Sequence, residues 1–442
     1  MSIAKGFLHT DGNQIVDSSG QNVKLTGVNW FGAEGYAFNP NGMDTKGYWH
    51  MMDQMKTLGF NTIRLPWSDA MLDGDRKPTG IDYSKNPDLE GKSTLEVFDK
   101  IIDYAGRIGL KVILDHHRSD DGASANENGL WYTDKYPESK MIENWKMLAT
   151  RYAGNDTVVG ADLHNEPHGQ ATWGDGNMAT DWAAAAERIG NAIQTVNKDW
   201  LLMVEGVEIQ GDSWEWWGGN LRGAKEHGIE FNTPDKLVYS VHSYGPSIHQ
   251  MSWFNDEDYP NNLPEVYNDN WGWMLKENKH PVLVGEFGGK LDTQQDQQYI
   301  AKLIQYMNGD FDGNGTNDLG AGKQGASWTY WSWNPNSGDT GGILKDDWTS
   351  VDWTKMNAVK PGLFAGGGGA PKAASASLDA TADHGAGQTD VWAHTVAQAN
   401  AADASAASVA ADTHGTTTAG DLAAFEAAQL HTLHHDGDPA LV

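Results

Sequence analysis

The sequence predicts an α/β protein of the (β/α)8 class, a TIM barrel with an N-terminal hairpin and a low-complexity C-terminal tail, and three observations predict it. Short runs of β-branched and apolar residues alternate with longer amphipathic segments over residues 1–364 of the 442. Most of the short runs lack polar alternation, as parallel strands covered on both faces do. The alternation occurs eight times, which points to a closed barrel, and a barrel of about 250 residues with insertions accommodates most of the length.

The strands are expected at Val23–Asn29, Asn61–Pro66, Lys111–Asp115, Val158–His164, Leu201–Glu205, Leu237–His242, Val282–Glu286 and Ala326–Trp333. Between them, Tyr48–Leu58 sets Met51, Met52, Met55 and Leu58 on one stripe, the spacing of a helix with a buried face. Helices are likewise expected at Leu95–Ile108, Ser139–Tyr152, Asp181–Val196, Pro264–Glu277, Gln294–Met307 and Met356–Leu363. The segment after the fifth strand is rich in Gly and Trp and has the weakest helical pattern. Ahead of the barrel, Phe7–Val16 and Gln21–Val23 flank Asp17-Ser-Ser-Gly20 as a hairpin suited to closing the barrel's bottom.

Composition changes after Phe364. Residues 365–373 form a Gly-rich linker, and residues 374–442 are rich in Ala, Asp and Thr with few large apolar side chains. Such a stretch buries too little to offset its ordering entropy. It reads as a disordered or weakly helical tail, with Ala404–Ala411 and Asp421–His431 as its helical stretches. An export signal, a remnant of an accessory module and an oligomerisation arm are the other readings. His431, His434 and His435 lack the Cys or carboxylate frame of a metal site and read as tail polarity.

The 60 acidic residues exceed the 31 basic ones, giving a formal charge of −29, which excludes nucleic acid and anionic membrane as partners. It does not exclude a neutral polymer. The 20 Trp mean either a heavily aromatic core or a surface that stacks on flat apolar rings, of which sugar faces are a common example. Cysteine is absent, so disulfide usage gives no compartment. No apolar run reaches the length of a membrane span. The opening Met-Ser-Ile-Ala-Lys-Gly-Phe lacks the apolar region of a secretory signal, so either a signal has been removed or export uses another route. A monomer is expected.

In such barrels chemistry occurs at the C-terminal ends of the strands. Those ends read Asn29-Trp30, Arg64, His116-His117-Arg118, His164-Asn165-Glu166, Glu205, His242 with Tyr244, Glu286, and Trp331 with Trp333. Nearly every strand ends in a group able to bond or stack on a sugar. Glu166 in Asn165-Glu166-Pro167 and Glu286 in Gly285-Glu286-Phe287-Gly288 end the fourth and seventh strands, across the barrel mouth from each other. Glycosidic cleavage needs one carboxyl to protonate the leaving oxygen and another on the opposite side of the sugar. One Glu at a barrel rim is weak evidence; the opposed pair is strong. Glu205 is the rival, better suited to accepting hydrogen bonds behind the site.

Gly27-Val-Asn-Trp-Phe-Gly32, Asn61-Thr-Ile-Arg-Leu-Pro66, Leu163-His-Asn-Glu-Pro167, Val241-His-Ser-Tyr244, Val284-Gly-Glu-Phe-Gly288 and Tyr330-Trp-Ser-Trp-Asn-Pro335 resemble glycoside hydrolase family 5, and within it the bacterial endo-β-1,4-glucanases. The resemblance spans about residues 5–364. It implies a secreted cellulase acting on β-glucan by a retaining mechanism, with Glu166 as acid/base and Glu286 as nucleophile. It further implies that Arg64 and Tyr244 bond the nucleophile, that Asn165 holds the sugar 2-hydroxyl, that His117 and His242 flank the site, and that Trp331 lies under the sugar. Trp217 is expected to stack on a distal sugar, and Trp30 to pack beneath the cleft. Asp44 stands where relatives place an aromatic, and the disulfides of their rim loops are missing. With Arg64 beside it Glu286 is expected to stay ionised, which in turn keeps Glu166 protonated. Mannanase, xylanase and glucosidase are sister activities, and a glucan-binding protein without activity is the reading from another class.

No cofactor is required by this chemistry. One loop suggests a structural Ca²⁺: Asp310, Asp312, Asn314 and Asp318 have the oxygen spacing of a calcium loop, although Ala321 stands where an EF-hand has its twelfth-position Glu.

Overall fold

A computed structural model describes residues 3–74 and 76–365. The tail from 374 to 442, its two expected helices and its histidines lie outside the described residues, as does the linker beyond residue 365.

Eight parallel strands close into a barrel: β1 (Thr26–Asn29), β2 (Thr62–Ser68), β3 (Lys111–Arg118), β4 (Val158–Asp162), β5 (Leu201–Glu205), β6 (Leu237–His242), β7 (Val282–Glu286) and β8 (Ser327–Tyr330). Each pairs with its chain neighbours, and β8 returns to β1 through Trp328↔Thr26. Three of the expected strands match to the residue. The others differ by a few residues at their ends, where sequence pattern is least informative. Every residue of all eight strands is buried.

The helices cover the outside: α1 (Tyr48–Thr57), α2 (Thr94–Ile108), α3 (Glu138–Arg151), α4 (Trp182–Gln194), α5 (Leu263–Tyr267), α6 (Trp273–Lys276), α7 (Gln294–Met307) and α8 (Trp353–Val359). A π-turn, Asn268–Gly272, joins α5 to α6. α2 shows why such a segment is helical. Ser93 and Glu96 form a reciprocal capping box at its start, and Gly109 ends it at φ 77°, a left-handed conformation that disfavours side chains. Its Val97, Phe98, Ile101, Ile102 and Ala105 are buried, each of the larger ones contributing about 1.5–3 kcal/mol.

Between β5 and β6 the described residues form no α-helix. A two-residue-per-strand hairpin, Ile209–Gln210 with Ser213–Trp214, leads into a 3₁₀ turn at Arg222–Lys225. The glycines at 206, 211, 218 and 219 break any helical run and let this segment fold over the mouth instead.

At the opposite end, strands His9–Asp11, Gln14–Val16 and Asn22–Val23 form an antiparallel sheet. Its Leu8, Ile15, Val23 and Leu25 pack with Ile113, Val159, Leu201, Met203, Val238 and Leu283 from the barrel strands. The expected first arm, Phe7–Val16, turns back on itself at Gly12-Asn13, so a three-stranded sheet rather than one hairpin closes the barrel's bottom. No helix among the described residues is long and apolar enough to cross a membrane.

Candidate active site

Arg64 organises the mouth. Its side chain is fully buried, and its register opposite Asn29 aims it across the barrel. The guanidinium meets Glu286 at 2.7 Å, Asp162 at 2.9 Å, Asp115 at 3.0 Å and Glu205 at 3.2 Å, and donates to the Oδ1 atoms of Asn29 and Asn165 at 3.0 and 3.1 Å. A lysine, with three donors, could not serve the five hydrogen-bond acceptors of this planar fan and pair with Asp115 as well. Burial raises the Asp162 carboxyl well above the carboxylate range, against the pull of Arg64.

Glu286 ends β7. Its Oε1 accepts from Arg64, and its Oε2 accepts from Tyr244 Oη at 2.8 Å. Glu166 follows β4 at φ 53°, in the left-handed region that a non-glycine residue occupies at a cost of about 1–3 kcal/mol. Glu205 Oε2 accepts its backbone N–H at 2.8 Å and holds that conformation. The Glu166 carboxyl accepts from Trp216 Nε1 at 2.7 Å and bonds His242 Nδ1 at 2.9 Å. Oxygens of Glu166 and Glu286 and a ring nitrogen of His242 all lie within 4.8 Å of one another.

The protonation of this trio differs from the sequence-based expectation. Burial opposes charging His242, but Glu205, 3.1 Å from its Nε2, and then Glu286 and Glu166 outweigh that and push it well above the usual histidine range. Burial likewise raises Glu166, yet the bonds from His242 and Trp216 outweigh it and hold Glu166 below the carboxylate range. Glu286 is raised by burial, against the pull of His242 and Arg64. In the unliganded site these directions favour the imidazole over Glu166 for the shared proton, and the groups titrate together.

Asn165 is fully buried; its Oδ1 faces Arg64, and its Nδ2 has no protein partner. His117 bonds Asp115 at 2.7 Å and stacks on Trp331 with ring centroids 5.5 Å apart, while Phe31 stacks on Trp331 at 5.1 Å. Trp331 is half-buried. Trp30 is fully buried, as expected. Trp217 lies flat on His168 at 3.9 Å. Its neighbour Trp216, which the sequence reading passed over, is the tryptophan that touches Glu166. Glu34 was also passed over: it is buried near His117, accepts the Gly32 N–H at 2.7 Å, and is raised by that burial. In the sequence Asp115 marks only the end of the third expected strand, and Glu34 gives no signal.

The acidic turn is elsewhere. Carboxylate oxygens of Asp310, Asp312 and Asp318 lie within 4.8 Å of one another. Asp310 accepts the N–H groups of Gly313 and Gly315, Asp318 that of Phe311, and the Asn314 side chain bonds Asp312.

Comparison with known proteins agrees with this architecture. The family model described as Cellulase (glycosyl hydrolase family 5) matches residues 16–337. An endoglucanase of Paenibacillus polymyxa is 48% identical over 360 residues, covering 80% of this chain and 86% of that protein. The major extracellular endoglucanase of Xanthomonas campestris pv. campestris is 42% identical over 354 residues, 78% of this chain and 69% of that protein. The solved catalytic domain of the Xanthomonas campestris major endoglucanase superposes with a TM-score of 0.73 at 40% identity, over 80% of this chain and 99% of that one. The hyperthermophilic endocellulase from the archaeon Pyrococcus horikoshii superposes equally well, with a TM-score of 0.73 at 37% identity over 82% of this chain and all of that one. A parallel eightfold barrel with buried glutamates at its mouth, matched over most of its length by these proteins, belongs to glycosyl hydrolase family 5.

Proposed function

We propose that this chain hydrolyses internal β-1,4-glucosidic bonds of cellulose and related β-glucans with retention of configuration, Glu286 acting as nucleophile and Glu166 as acid/base. The observation that supports the mechanism is that one oxygen of each buried carboxyl lies within 4.8 Å of the other. Double displacement uses a separation of about 5–5.5 Å, whereas an inverting pair leaves about 6.5–9.5 Å for a water molecule.

In the first step a Glu286 oxygen bonds to the anomeric carbon as the glycosidic C–O bond breaks. The leaving oxygen takes its proton through Glu166, to which His242 passes it across their 2.9 Å contact, so that the pair is left without that proton. Charge leaves Glu286 when the glycosyl bond forms, so the pull that kept the His242–Glu166 pair protonated weakens. Glu166 then accepts a proton from water, which attacks the same carbon and releases Glu286. Arg64 and Tyr244, one on each Glu286 oxygen, orient the nucleophile and stabilise it as the leaving group. The unpartnered Nδ2 of Asn165 supplies a donor for the sugar 2-hydroxyl. Trp331 serves as platform at the cleavage point, His117 lines it, and the free face of Trp217 takes a more distant sugar.

The names of the relatives support glucan as substrate and attack within the chain. The Pyrococcus horikoshii endocellulase has been solved with cellotetraose, which supports a cleft built for several glucose units. The Xanthomonas relative is called extracellular, and we place this chain's action outside the cell as well, as a monomer that needs no metal or cofactor for hydrolysis.

The test is hydrolysis of carboxymethyl-cellulose by wild type beside Glu166→Gln and Glu286→Gln, following viscosity and reducing ends. Rapid viscosity loss in wild type alone is expected. An inert wild type, with mannan or xylan cleaved instead, would move the substrate assignment; equal rates in all three would end the assignment of the glutamates.

A further inference from the structure

The segment after β5 carries a further half-buried acid that hydrolysis as described does not use. Glu215 immediately precedes Trp216, whose indole N–H donates to Glu166 at 2.7 Å. The Glu215 backbone N–H donates to Glu208 O at 3.0 Å, closing the short hairpin. Its carboxyl turns inward and accepts from Asn270 Nδ2. Asn270 is 2% exposed and stands on the π-turn, a local widening of the helix that recurs at functional sites. Asn270 Oδ1 in turn accepts from Arg222 Nε at 2.9 Å. One chain of bonds thus runs from the 3₁₀ turn through the π-turn to Glu215, and the next residue touches Glu166.

Glu215 shares its cavity with Trp216, His249 and Tyr267. The charged and titratable groups facing it are Arg222, which pairs with Asp269 at 3.5 Å, Tyr267 of α5, Tyr299 of α7, His249 of the loop after β6, and His242 beyond the Trp216 ring. Burial outweighs Arg222 and the Asn270 bond and raises Glu215 to about 8, so the acid is neutral at neutral pH. Trp216 also packs on Tyr244, the residue that bonds Glu286, with ring centroids 4.8 Å apart. Its position therefore touches both catalytic carboxyls, directly on one side and through Tyr244 on the other.

We propose that Glu215 is a positioning residue: latched to Asn270, it holds the Trp216 N–H on Glu166 and so sets the proton affinity of the acid/base. The proposal rests on Glu166 being the proton donor. A donor on the carboxylate favours its ionised form, so releasing Trp216 raises the affinity of the Glu166–His242 pair for its proton. A neutral latch also makes a specific demand, since the neutral amide of Gln should replace it and the methyl of Ala should not.

The experiment compares pH profiles of kcat/KM for Glu215→Ala, Glu215→Gln, Trp216→Phe and the double variant Glu215→Ala/Trp216→Phe. It also follows the Trp216 indole N–H resonance in each unliganded protein that retains it. Glu215→Ala and Trp216→Phe are each expected to move the alkaline limb to higher pH by about one unit and lower kcat about tenfold, with KM changed less than about twofold. The double variant should be no worse than Trp216→Phe, and Glu215→Gln should restore most of what Ala loses. Multiplying defects in the double variant, or a Gln variant as impaired as Ala, would overturn the latch. An N–H resonance unmoved in Glu215→Ala would overturn it whatever Glu166 does. A moved resonance with unchanged pH profiles would instead remove Glu166 as proton donor, and the positioning role with it.

Discussion

Glu205 makes the sharpest demand on the site's proton logic. The perturbation is Glu205→Gln, which keeps the shape and removes one charge. In the wild type Glu205 Oε1 lies 3.1 Å from His242 Nε2 and 3.2 Å from Arg64, and its Oε2 accepts the Glu166 N–H at 2.8 Å. At an effective dielectric constant of about 20, opposite unit charges at the His242–Glu205 distance of 3.1 Å attract by about 5 kcal/mol. Arg64 loses the same partner and the Gln dipole replaces part of the field. A loss of about 1.5–3 kcal/mol for a charged contact is therefore the share expected on His242, or about one to two pH units. The sign follows from the direction of the shift. His242 is raised in the folded protein, so weakening its partner lets the His242–Glu166 proton leave at lower pH. The alkaline limb of kcat/KM should move toward acid by about one to two units, and a rate measured on that limb should fall about 10- to 100-fold. The assay is kcat/KM on a soluble cello-oligosaccharide from pH 4 to 10, with melting curves confirming that the variant stays folded across that range. An alkaline limb that stays in place, or moves the other way, would refute the account of His242 as the proton's resting place.

Three further outcomes follow from particular residues. Lys24 is buried with its ammonium on Met307 O and Asn308 Oδ1, both at 2.9 Å, and burial lowers it from 10.5 to about 7. Between those values the unfolded chain binds a proton that the folded one lacks, so this group makes stability rise with pH, by up to about 4–5 kcal/mol. Urea unfolding at pH 7 and 9.5 should show a flatter rise in Lys24→Met than in wild type, and equal slopes would contradict it. Gly218 sits at φ +72°, where an added Cβ would lie 2.3 Å from Glu205 Oε2, so Gly218→Ala should lower kcat/KM at least tenfold and stability by about 2 kcal/mol, read by kinetics and urea unfolding. Calcium at millimolar levels should raise the melting temperature through the Asp310–Asp312–Asp318 turn without changing kcat, and chelator should reverse it; a melting temperature indifferent to both assigns the turn to its backbone bonds alone.

Much of the fold was legible because burial on both faces leaves an unbroken apolar strand signal, as in Leu201–Glu205 and Val282–Glu286, which match to the residue. The site was legible in part because barrels display their strand ends, so reading the residue that closes each strand also reads the mouth. What distances between distant residues decide was not legible. Trp216 and Trp217 are adjacent and chemically alike, and only the path of the glycine-rich loop turns one to Glu166 and the other to His168. The expected proton on Glu166 came from counting two carboxylates; the structure adds His242, wedged among Glu166, Glu205 and Glu286, as a second group to hold it. The π-turn at Asn268–Gly272 has an ordinary helical sequence pattern. It is seen only once Tyr306 is found so close to Gly272 that an added Cβ would meet its hydroxyl.

The central claim is a double displacement through Glu286 and Glu166, and its most direct test is the anomeric configuration of the first product. Proton NMR of cellopentaose hydrolysis, recorded before mutarotation, is expected to show the new reducing end as the β-anomer in wild type and no product signal in Glu286→Gln. An α-anomer appearing first would mean a single displacement by water, and the oxygens of the two carboxyls within 4.8 Å of each other would then need another explanation.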